Sequence, residues 1–151
     1  MPLSGVITAV AAVIESVGGV VNVHQYQREI KTDVDFKTVF PGNPLQGWTI
    51  SRESTQATDR TVNGIQDQHT LVIRGIYAVD DDNASEMQFR NVVEAVRAEF
   101  LKTANRNLSG QCFEIDPVSC RVEQYREFSG VLVHYVELVM TVREYPVAIP
   151  A

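Results

Sequence analysis

The residues best able to do chemistry near neutral pH are three histidines, His24, His69 and His134. Each falls in a different predicted strand. No His-Glu-x-x-His or other paired spacing joins them, so the sequence gathers none into a metal or nucleophile site, and isolated strand histidines read as hydrogen-bonded structural residues. Asp80-Asp81-Asp82-Asn83 invites a calcium reading. A calcium loop needs a glycine at its sixth position and a glutamate at its twelfth, and counting from Asp80 those places hold Ser85 and Asn91. The same residues read better as the entry to a helix, with Asn83 and Glu86 spaced as a capping box. Cys112 and Cys120 match no zinc-gripping pair and read as reduced thiols. If a hairpin turns near Asp116-Pro117, the two could meet and oxidise as an artefact. The chain has no phosphate loop, dinucleotide fingerprint or nucleophile elbow. The expectation is therefore no catalytic residue, no cofactor and no stoichiometric metal.

The 151 residues make about one domain's worth of chain, and residues 1–151 read as a single domain. With 44% hydrophobic and 21% charged residues, the chain lies far from the composition of disorder. Its 19 acidic and 13 basic residues give a formal charge of -6, which argues against a broad phosphate-gripping face; it suits a channel through which DNA slides, and solubility alone explains it at least as well. The first twenty residues carry no signal-peptide pattern, and no apolar run is long enough for a membrane span.

The elements that must position any site follow from periodicity. Val6, Val10, Val13, Ile14 and Val17 form a helical stripe, with Ser4 placed to cap it and Gly18-Gly19 to end it. Residues 20–26 read as a strand, and 32–40 as a short helix around Val34, Phe36 and Val39 that Pro41 stops. Residues 47–52 alternate as a strand, as does the run through Ile65, Leu71, Ile73, Tyr77 and Val79. Between them, residues 54–64 lack any core pattern and end on the turn signal Asn63-Gly64; they read as a long projecting loop joining two antiparallel strands.

Phe89, Val92, Val93, Val96 and Phe100 then mark one face of a helix that packs on the sheet, with Glu86 and Arg90 as an i,i+4 pair. Strands are predicted around Cys112 to Ile115, Val118 to Glu123 and Val131 to Glu144. In the last, Leu132, His134, Val136, Leu138, Met140 and Val142 share one face, and the tail with Pro146 and Pro150 cannot extend a central strand. Trp48 reads first as a core anchor and second as a partner-facing residue.

The stretch Gly47-Trp48-Thr49-Ile50-Ser51-Arg52, then a polar loop, then His69 to Tyr77, then Asp80 to Glu86 leading into Phe89 to Val96, resembles the tail terminator (tail completion) proteins of long-tailed bacteriophages. The likeness covers about a third of the chain, from Gly47 to Phe100. It implies an α+β fold, a mixed and mainly antiparallel sheet with two main helices packed on it. It also implies a virion protein forming a hexameric ring at the head-proximal end of the tail tube. There the ring would stop tube polymerisation and contact the tail tube protein and a neck or head-completion protein, with DNA passing through its lumen. In such a ring, Arg52, Glu53, Arg60, Asn63 and Gln66 on the projecting loop are the candidate subunit or partner contacts. The resemblance carries no catalytic residues. Two alternatives are a neck or head-completion protein and a small enzyme or ligand-binding domain.

Overall fold

The computed structural model describes residues 3–26, 39–41, 45–61, 64–80, 82, 84–128 and 131–148. It is an α+β fold built on a mixed, mostly antiparallel sheet. Helix α1 (Leu3–Glu15) buries the expected stripe of Val6, Val10, Val13 and Ile14, with Ala11 beside it. Ser4 lies inside the helix rather than capping it. Of the strand expected at 20–26, two residues pair: β1 (Val23–His24) runs parallel to the start of β2 (Gln46–Thr61). The short helix expected at 32–40 falls outside the described residues except for its end, where Val39 and Phe40 are buried.

β2 pairs antiparallel with β3 (Gly64–Ala78) over nearly their whole lengths, Gln46 opposite Tyr77 and Thr61 opposite Gly64. β3 in turn pairs with β6 (Val131–Arg143), which carries both β4 (Glu114–Ile115) and β5 (Ser119–Phe128) on its other side. A two-residue β7 (Val147–Ala148), set off from β6 by Pro146, pairs with Gly64 and Ile65 of β3.

Helix α2 (Ser85–Leu101) buries Phe89, Val93, Val96 and Phe100, as the stripe predicts. Its entry differs from the expected capping box. The residue before the helix is Ala84, at φ 52°, and no side chain caps it; Asn83 lies outside the described residues. Ser85 closes the approach instead, its N–H donating to the Asp80 carbonyl and its Oγ accepting from the Asp80 N–H. The Glu86–Arg90 pair forms at 3.0 Å.

Both helices cover one face of the sheet. Trp48, Ile50, Leu71, Ile73, Val136, Leu138, Met140 and Val142 meet them there, and pleating puts these alternate residues on one side. Trp48 is wholly buried, which agrees with the core-anchor reading, and its ring lies over Gly75, the residue directly opposite on β3. A Cβ on Gly75 would come within 2.7 Å of that ring, so a side chain at this position has no room. Gln46 holds the indole in place: its Oε1 accepts from Trp48 Nε1 at 2.8 Å and its Nε2 donates to the Gly19 carbonyl. Leu132 departs from expectation. It shares a face with the core residues of β6 but is exposed, because it sits at the end of the strand away from them. A smaller cluster of Val39, Phe40, Ile76, Val133 and Tyr135 packs on the opposite face.

Candidate functional site

The polar segment expected to be a projecting loop is instead a continuation of the hairpin. Residues 54–61 of β2 and 64–70 of β3 stay paired in register, with irregularities at Arg52/Ser54 and Asp59/Thr61. Rising about 3.3 Å per residue, the arm from Ser54 to Thr61 is roughly 25 Å long. The sequence hides it because residues 52–58 are exposed on both faces and so show no alternation; backbone pairing to β3, not a buried face, holds this half of the arm.

The five candidate contact residues separate in the structure. Arg52 is exposed, its Nη1 donating to Thr55 Oγ1 at 3.3 Å. Glu53 is exposed but already engaged by Arg121 at 3.1 Å. Arg60 lies in the arm near its tip, and Asn63 lies outside the described residues. Gln66 corrects the expectation: it is 3% exposed, and its Nε2 donates to the Glu144 carbonyl at 2.8 Å. It braces the arm from within and faces no partner.

Two long edges of the sheet stay open among the described residues. Among the described residues, β1 covers β2 only at Trp48 and Thr49, and no strand pairs with the outer edge of β5. An open groove of about 710 Å³ lies between α1 and the turns after α2. Among the described residues, Glu99 is the one ionisable group that lines it, and it pairs with Lys102 at 2.8 Å, so these residues present no acid–base couple there. Cys112 is buried and Cys120 exposed, and the two remain free thiols rather than facing each other. Burial, with Glu114 and Glu144 adding to it, pushes the Cys112 thiol up to about 11, far from a reactive thiolate.

The three histidines also separate. His24 Nε2 lies 2.9 Å from the Val39 carbonyl, to which it donates. His134 Nε2 is 2.8 Å from Ser85 Oγ. Both fit the structural reading. His69 does not. It is 4% exposed, its Nδ1 lies 2.7 Å from Thr55 Oγ1, and its Nε2 is the one buried side-chain polar atom among the described residues without a hydrogen bond. That nitrogen faces two carboxylates. Glu144 Oε1 is 3.5 Å away, and one ligand atom each from Asp67, His69 and Glu144 lie within 4.8 Å of one another. Asp67 and His69 are two apart on β3 and so point to the same face, a local signal present in the sequence. Glu144, just past the end of β6, comes from far along the chain and leaves no such signal.

No protein-family model matches the chain, and a comparison with curated proteins gives no match. Among the described residues, no helix is long and apolar enough to cross a membrane.

Proposed function

We propose that the chain is a structural assembly protein of the tail terminator kind, acting as a ring at the head-proximal end of a long phage tail. The observation that carries this reading is the β2–β3 arm. Its β2 half, exposed at every residue from 52 to 58, contributes little to its own domain's core, yet it orders many polar residues at an entropic cost. Contact with a neighbouring subunit or the last tube ring would offset that cost. The two open edges, on β2 and β5, lie on opposite sides of the sheet, as a head-to-tail ring requires: each contact covers one edge of each type, and closure ends growth. The acidic composition suits a lumen that DNA must pass without sticking. Individual contacts need not be strong, because several identical ones act together on a preformed tube end. A neck protein would share the ring but engage heads instead of tails.

Replacing residues 59–65 with an Asn-Gly turn joins Thr58 to Gln66, which are paired in the native register, keeps the Gln66 bond to the Glu144 carbonyl, and removes the tip of the arm with the two residues that pair with β7. The variant is expected to fold and to yield tails of irregular length that do not join heads. Tails of uniform length, joined to heads as in the wild type, would refute the arm's role in assembly.

A further inference from the structure

We propose that Asp67, His69 and Glu144 form a site for a divalent transition-metal ion, zinc above all, at the base of the arm. The inference does not depend on the ring reading. It departs from the sequence expectation of no metal because the third ligand is contributed from outside β3.

The donor set is one imidazole nitrogen and two carboxylates, which suits zinc and its neighbours better than calcium or magnesium, whose sites are built from oxygen. Two ligands each about 2.1 Å from a tetrahedral ion sit roughly 3.4 Å apart. His69 Nε2 and Glu144 Oε1 already stand 3.5 Å apart, a separation that fits metal sharing but lacks the geometry of a hydrogen bond. A modest inward turn of the half-buried Asp67 completes three ligands, leaving the fourth position to water.

The surroundings fit the same role. Thr55 Oγ1 can accept the proton of His69 Nδ1 at 2.7 Å, which leaves the lone pair on Nε2 facing the carboxylates, the arrangement that orients metal-ligating histidines. The backbone holds the two ligand-bearing segments together, since Glu144 N–H donates to the Asp67 carbonyl at 2.9 Å and Gln66 Nε2 donates to the Glu144 carbonyl. An ion here ties β3 to the chain leaving β6, and Thr55 of β2 braces its ligand. It therefore fixes the direction in which the arm leaves the body of the protein.

The test uses the full chain, stripped with a chelator and dialysed, then titrated with zinc chloride by calorimetry and followed by thermal unfolding. We expect one ion per chain and a higher melting temperature with saturating zinc, since an ion bound only by the folded state stabilises it. Asp67→Asn and Glu144→Gln, each confirmed folded by circular dichroism, should weaken binding at least tenfold, while Cys120→Ser should leave it unchanged. Asp67→Asn alone carries the test if Glu144→Gln does not fold. The absence of stoichiometric binding would overturn the site. So would an affinity that survives Asp67→Asn, or one that follows the exposed Cys120.

Discussion

Arg121 Nη1 lies 3.1 Å from Glu53 Oε2, although β3 and β6 separate their strands. Three strand intervals span roughly 14 Å, about as far as an extended arginine and glutamate can bridge. Glu53 and Arg121 are also the two residues that drop out of register at the bulges Arg52/Ser54 and Cys120/Val122. Bulges bend strands and re-aim side chains, and here both extra residues are aimed at one another across the sheet. Arg121 also reaches Glu137 at 3.0 Å, which makes a belt across the sheet. Because the pair is open to solvent, Arg121→Ala should leave the fold intact and lower the melting temperature slightly in low salt, the difference shrinking in high salt. A salt-independent loss would show that the arginine acts through packing.

Glu137 makes the belt sensitive to pH. The Tyr135 hydroxyl, donating at 2.6 Å, holds its carboxyl below the ordinary value of 4.5 against the opposing effect of burial, and Arg121 and Arg74 help. A depressed folded-state value means that the ionised group adds stability above the ordinary glutamate range. That contribution is lost as pH falls through the folded-state value. Glu137→Gln should therefore melt below wild type at neutral pH, and the two curves should converge in acid. A constant gap between them would contradict the assignment.

Val96 has no exposed surface and sits in the middle of the buried face of α2. Val96→Asp places a carboxylate there without a partner, a change costing several kcal/mol, which is on the order of a domain's whole stability. Glu94 is exposed and pairs with Arg97, so Glu94→Lys should change stability by no more than about 1 kcal/mol. Denaturant melts of the two variants compare them directly, and equal midpoints would mean that α2 faces another way.

Gly75→Ala would drive a methyl into the Trp48 ring and should cost about 1–3 kcal/mol, with a shift in tryptophan emission. Gly18→Ala meets nothing within 4 Å and serves as the control. An emission spectrum unchanged in Gly75→Ala would place the indole elsewhere.

A thiol reagent added to folded protein should modify Cys120 alone, and faster as pH rises, because burial and Glu123 raise its thiol above the ordinary value. Cys112 should react only after unfolding. Two fast thiols in the native state would place Cys112 outside the core.

Periodicity exposed those parts of the fold that bury a face. The α2 stripe from Phe89 to Phe100 and the alternation Leu71, Ile73, Tyr77 both reach the core. The arm escaped because residues 52–58 of its β2 half bury neither face, and polar strands and polar loops then look alike in sequence. Gln66 was read as outward for the same reason: within a polar stretch, nothing marks the one residue that turns in to hold the Glu144 carbonyl. Asp67 and His69 stood two apart in plain view, but two ligands on one strand are common without a metal. The third, Glu144, is brought in by the register that sets Gln68 opposite Arg143, a long-range pairing that local pattern does not contain.

The proposed role at the head-proximal end of a phage tail can be checked by imaging assembled particles that carry a labelled copy of this chain. Six copies are expected in one ring between the last tube ring and the neck, with the 46–61 and 64–78 hairpin reaching a neighbouring subunit or the tube. Label found along the tube, in the capsid shell, or absent from particles would contradict it.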